Sequence, residues 1–200
     1  MAGTAWLLLA VIALTVSGEY SSGMIRTTLT AMPRRATVLA AKAAILTGVT
    51  LAAGTIAVLA SVLAGRLILP GNGFTPTHGY PLLSLADAPT LRASVGSVLY
   101  LALIALLSFG VAVAVRESAT AIGGVLGLLY LCPLMNHLIS DPDTQRLLFQ
   151  LSPMNAGLAI QATTHLSHLP LSPRAGLGVL AAWAATALLG GGLLLRLRDA

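Results

Sequence analysis

The stretch ASVGSVLYLALIALLSFGVAVAV, residues 93–115, runs between Arg92 and Arg116 without one charged side chain. At 1.5 Å of rise per residue, 23 residues of α-helix measure about 35 Å, enough for a hydrocarbon core of about 30 Å. Its apolar residues do not alternate with polar ones, so it is not a strand of a closed barrel. Four more charge-free runs flank it. Residues 1–18 precede Glu19, 43–65 lie between Lys42 and Arg66, 118–140 between Glu117 and Asp141, and 175–195 between Arg174 and Arg196. The expected fold is therefore all-α: a polytopic membrane helix bundle, one domain over 1–200. It has five transmembrane helices at about 2–18, 43–65, 93–115, 118–140 and 175–195.

Composition agrees. Charged residues are 8% of the 200, against roughly 25% in soluble domains. Hydrophobic residues are 56% and mean hydropathy is +0.90. So few charges cannot cover a water-soluble surface, and a disordered chain would be far more polar. The net charge of +5 does not point to nucleic acid, because the basic residues are scattered and form no stripe with interleaved aromatics. The single cysteine, Cys132, excludes an intrachain disulfide or a cysteine cluster. One lysine beside ten arginines, with abundant Ala, Gly and Leu, suggests a GC-rich bacterial genome.

Orientation follows from the positive-inside rule. Segments 19–42, 116–117 and 196–200 carry Arg26, Arg34, Arg35, Lys42, Arg116, Arg196 and Arg198. Segments 66–92 and 141–174 carry only Arg66, Arg92, Arg146 and Arg174 over about twice the length. The first set is expected inside, which makes the C-terminus cytoplasmic and the N-terminus external. The first span has no basic lead-in and is read as retained and not as a cleaved signal. Pro133, alone among ten prolines inside a run, should kink its helix. Gly123 with Gly127, and Ala181 with Ala185, have the four-residue spacing that lets helices approach in lipid. Loop 66–92 is rich in turn residues. Within the outer loop 141–174, residues 144–169 are expected to form short amphipathic helices at the outer surface.

The chain is poor in chemistry. The five runs contain no Asp, Glu, Lys or Arg, so an ion-coupled transporter lacks its usual coupling groups. No phosphate-binding loop occurs: Lys42 is followed by Ala43, where Ser or Thr is required. Energy for uphill movement must come from a partner. His137 is read as a structural histidine, and His165 with His168 lack a third ligand for zinc. Ser97 and His137 could be imagined as a protease dyad, but VGSV around Ser97 is not a rhomboid-type motif, and no HExxH occurs. The chain is not expected to be an enzyme or to bind a cofactor or metal.

The segment 19–42 is far longer than a tight connection between spans requires. Ile25, Leu29 and Met32, at i, i+4 and i+7, stripe one face of a short helix ended by Pro33, with Arg34 and Arg35 opening the next. Such a helix can lie on anionic lipid or fill a groove on a cytosolic partner. The segment resembles permeases of ABC transporters of the type-2 exporter class, particularly the actinobacterial branch. The resemblance is carried by Glu19, Tyr20, Gly23, Met24, Ile25, Arg26, Leu29, Pro33, Arg34, Arg35, Ala41 and Lys42. It extends to RESATAIGGVLGLLYLCPL (116–134), LSPMNAGLAIQAT (151–163) and AGLGVLAAWAATALLGGGLLLRLRDA (175–200).

The resemblance implies a coupling helix over Ile25–Met32 that contacts an ATP-binding subunit. Glu19, Tyr20, Gly23, Met24, Ile25, Arg26, Leu29, Pro33, Arg34, Arg35 and Lys42 would form the partner-binding site. It also implies a second permease copy, as homo- or heterodimer, with ATP and Mg held by the partner subunit, in a bacterial plasma membrane. That family has six helices with both termini inside; this chain supplies five, and the expectation is a start placed too far downstream. Two other classes remain. One is a non-transporting integral membrane protein such as an immunity or assembly factor, and the other is an intramembrane hydrolase.

Overall fold

A chain segment in lipid must satisfy its backbone hydrogen bonds internally, and a run without charge or proline does so as a helix. The computed structural model describes residues 35–72, 84, 86–115, 117–163 and 170–198, and all its regular elements are helical. They are α1 (Arg35–Ile68), a 3-10 turn (Pro70–Asn72), α2 (Ala88–Val115), α3 (Ser118–Leu138), α4 (Pro142–Leu151), α5 (Pro153–Leu158), a 3-10 turn (Ala159–Gln161) and α6 (Pro173–Arg198). Among the described residues there is no strand.

Four helices are long and apolar enough to cross a membrane: Thr37–Ile68, Ala88–Val115, Ser118–Met135 and Pro173–Leu195. The expected span 2–18 lies outside the described residues, as does the coupling segment up to Arg34. The other spans run past their charge-free cores at most ends. α1 begins at Arg35, eight residues before the apolar run, so part of the segment assigned to coupling continues the spanning helix. α2 begins at Ala88 and carries Pro89 in its first turn, where the missing N–H is no loss. Charges mark where lipid ends, whereas a helix can continue into water. α3 instead stops at Leu138, with the Ile139 amide donating to the Met135 carbonyl. It continues through Pro133 as one helix.

α2 sits at the centre. It packs most extensively on α6, then on α1 and α3, and it also meets α5 and the second 3-10 turn. The core joins Ile104 and Leu107 of α2, Val125 and Leu129 of α3, and Leu180 and Ala184 of α6. Near the far end of α2 its backbone and that of α6 touch. A methyl group on Gly110 would lie 2.5 Å from the Ala187 carbonyl carbon, and one on Gly191 would lie 2.7 Å from the Gly110 oxygen. Close approach of this kind is how helices associate in lipid, where apolar burial alone gives no driving force.

The glycines and alanines read as packing pairs are mostly not the ones used. Gly123 and Gly127 are exposed with nothing within 4 Å, and Ala185 is exposed. α3 turns Ala121, Val125 and Leu129 inward, which points its glycines away from the bundle. α6 turns Gly176, Leu180, Ala184 and Gly191 inward, which carries Ala185 outward.

Candidate functional site

Of the eleven residues predicted to bind a partner, Glu19, Tyr20, Gly23, Met24, Ile25, Arg26, Leu29, Pro33 and Arg34 lie outside the described residues. Arg35 opens α1, and Lys42 follows two turns later on the same helix, half-buried. No convergence of the set is visible in the described residues. His165 and His168 also lie outside them, and His137 falls in the last turn of α3.

The described residues build a different feature: a wedge made of α5 and its following 3-10 turn, driven between α2 and α6. Each of its parts follows from local sequence. Ser152 ends α4 and starts α5. Its amide donates to the Leu148 carbonyl at 2.9 Å, its carbonyl accepts from the Ala156 amide at 3.0 Å, and its hydroxyl accepts from the Asn155 amide at 3.3 Å. Pro153 then occupies the first helical position, which suits its fixed φ. Ser152 and Ala156 are completely buried, and burial is what requires the polar atoms of the cap to be paired.

Three glycines, one on each element, form the seat. A methyl on Gly157 would lie 2.7 Å from the Tyr100 ring and 2.9 Å from Leu180. One on Gly96 would run into the Ile160 side chain, and one on Gly176 into the Ala156 carbonyl. Two side chains then pin the ends. Trp183 Nε1 donates to the Leu151 carbonyl at 3.0 Å. Arg92 Nη2 donates to the Ala162 carbonyl at 2.8 Å, while its Nε is buried without a hydrogen-bond partner. Arg92 is the fifth residue of α2, one turn past its start, and the Ala162 carbonyl gives its guanidinium an acceptor.

Upstream, the Asp141 carboxylate caps α4 by accepting from the Thr144 hydroxyl and the Thr144 amide. Those two bonds, the hydroxyl's first, hold its pKa below the ordinary carboxylate value. The Ser97 hydroxyl donates to the Ala93 carbonyl at 2.7 Å, the ordinary local bond of a helix serine. Thr47, Thr50, Thr55 and Ser61 of α1 and Ser108 of α2 make the same bond to the residue four before. Among the described residues, no three His, Cys, Asp or Glu side chains group as metal ligands would.

Set beside models of known families, curated proteins and solved structures, the chain matches none of them.

Sequence reading expected the whole stretch 144–169 at the surface. α4 has no buried residue, but Pro153, Ala156, Gly157, Ala159 and Ile160 are buried inside the bundle. Leu147 and Leu151 stay exposed on α4, whereas Ile160 is buried and Leu158 is half-buried. The signal that separates them is Ser152–Pro153, a cap followed by proline, which starts a new helix in a new direction. Asp141–Pro142 and Ser172–Pro173 start α4 and α6 in the same way.

Proposed function

We propose that the chain is the membrane-spanning permease subunit of an ABC exporter. In this reading it has five spans and a cytoplasmic coupling helix over Ile25–Met32, sits in a bacterial plasma membrane with its C-terminus inside, and pairs with a second permease copy. ATP and Mg are held by a separate ATP-binding subunit. The observation that carries the reading is the segment 19–42: an apolar stripe with flanking arginines, much longer than a connection needs, in an order that resembles type-2 exporter permeases. The spans support it, because their Asp, Glu, Lys and Arg residues stand only near the helix ends, at Arg35, Lys42, Arg66, Arg92 and Arg174 among others. A bundle of that kind has no group of its own for ion coupling and depends on a partner for energy.

In such a machine the permease breaks no bond. ATP binding closes the two ATP-binding subunits, the coupling helices move with them, and the interface between permeases changes state. The ligand shifts this equilibrium only by its differential affinity for the two states. The low polarity of the spans suits lipids, amphiphilic drugs and peptides alike as cargo.

Purification of the tagged native protein in mild detergent, with mass spectrometry of what accompanies it, tests the reading. An ATP-binding subunit in comparable amount is the expected result, and Arg26→Glu should reduce its recovery. An intact, folded chain that brings down no ATPase overturns the proposal and leaves a non-transporting membrane protein.

A further inference from the structure

We infer that Arg35 of α1 and Arg196 of α6 together hold the phosphate of an anionic phospholipid, whose acyl chains lie along Leu189, Leu193 and Leu197. The register of the helices brings the two arginine positions together. Leu39 of α1 meets Gly192 of α6, where an added methyl would lie 3.6 Å from the leucine side chain. Gly191 meets Val113 of α2, and Gly54 of α1 meets Val98 and Leu101. Moving from 39 to 54 along α1 thus corresponds to moving from 113 back toward 98 along α2, so these two helices run in opposite directions. α2 and α6 run alike, because Gly157 is pressed by Tyr100 and Leu180 at one level and Gly110 by Ala187 further along both. α1 and α6 are therefore antiparallel where they touch. Arg35 stands four residues before Leu39, and Arg196 stands four after Gly192. Each shares a helix face with its contact residue, and both lie about 6 Å beyond the contact toward the same end of the bundle.

Two cations placed across a helix contact repel each other. The ordinary remedy is a carboxylate, and neither helix carries one: α1 and α6 contain no Asp or Glu. Glu117 belongs to the same end, but it accepts from the Thr120 hydroxyl on α3, which packs chiefly on α2. Asp199, beyond α6, is one carboxylate against Arg34, Arg35, Arg116, Arg196 and Arg198. A phosphate supplies what is missing, since its oxygens accept from two guanidinium forks at once.

The apolar surface beside the pair decides which phosphate. Leu189, Leu193 and Leu197 follow one another at four-residue spacing along α6, all exposed, and the stripe ends next to Arg196. Free phosphate has no use for such a stripe. A phospholipid offers a phosphate and hydrocarbon chains in that order from the membrane surface inward. Basic positions between spanning helices are a general form of headgroup site. Arg35 also belongs to the set that the resemblance assigns to partner contact, but the lipid site does not rest on that reading and is tested without an ATP-binding subunit.

The test is native mass spectrometry of the full chain in detergent, titrated with phosphatidylglycerol or with phosphatidylcholine of the same chains. Phosphatidylglycerol should bind several-fold more tightly, a comparison that needs no variant. Arg35→Gln and Arg196→Gln should each weaken it by about fivefold, the worth of one basic residue near a headgroup. Arg66→Gln, at the other end of α1, should leave it unchanged. The double variant should lose less than the product of the two single losses, because both groups serve one phosphate. Equal binding of the two lipids overturns the inference. So does a loss with Arg66→Gln as large as with Arg35→Gln, which would mean diffuse attraction. Losses that multiply in the double variant would mean two independent charges and no shared phosphate. Displacement of phosphatidylglycerol by millimolar inorganic phosphate would make this a site for the free anion, and would overturn the lipid assignment.

Discussion

α1 and α2 are built from the same material and do different work. Their mean hydropathies are 2.0 and 2.7, yet 39% of the spanning window of α2 is buried against 11% of that of α1. α1 leaves Ile45, Val49, Ile56 and Leu63 open along its length, while α2 buries residues on every side, from Gly96 to Val113. In water, apolarity would decide which helix is central. In lipid both surfaces are equally content, so position is decided by shape. α2 has small residues where neighbours press hardest, at Gly96, Ala102, Ala105 and Gly110. α1 offers one such point, Gly54, against Val98 and Leu101 of α2.

If shape is what separates them, matched substitutions should behave unequally. Gly110→Val pushes a branched side chain into the α6 backbone, and we expect a loss of about 3 kcal/mol, the upper end for overpacking. Gly48→Val on α1, with open space around it, should stay within about 0.5 kcal/mol. Unfolding of both variants in detergent micelles measures the pair, and equal losses would break the distinction. Leu107→Ala comes next. Leu107 is fully buried, and with helices separating into lipid the transfer contribution largely vanishes while the cavity remains, so about 2 kcal/mol is expected. Ile56→Ala on α1 should cost far less in the same measurement.

Smaller effects sharpen the contrast at the wedge. Trp183→Phe keeps a ring but removes the donor to Leu151, and about 1 kcal/mol should be lost. The α4 cap is the smallest case. Asp141 has a lowered folded pKa against an ordinary 3.8, so its contribution is complete above about pH 4. It fades as pH falls through the lowered folded value. Amide exchange at Thr144 should show protection at neutral pH and loss only in stronger acid, with the core of α2 unaffected.

Much of the helix inventory was legible, because a charged side chain in hydrocarbon is expensive and the charges therefore bracket each span. Arg92 and Arg116 framed α2 to within a few residues. Helix ends were less legible: nothing in the charge pattern says that the backbone stops where lipid does, and α1 continues from Lys42 back to Arg35. The choice of packing glycines was not legible at all. Gly123 and Gly110 look alike in sequence, and only the presence of α6 opposite Gly110 distinguishes them. The wedge was missed because its helix is a single six-residue stretch, too short for periodicity to speak, although Ser152–Pro153 announced its start. The coupling segment was read from its stripe and its resemblance, and its residues up to Arg34 fall outside the described part.

The length of α1 has a mechanical consequence. Its 34 residues measure about 51 Å, against a hydrocarbon core of about 30 Å. At its start the two turns from Arg35 to Lys42 form a stiff arm whose Leu39 meets Gly192 of α6. No proline and no break in the helix separate that arm from the part in lipid. A sideways push at Arg35 therefore cannot be absorbed by a hinge. It passes along the rod and, through Leu39 against Gly192, into α6.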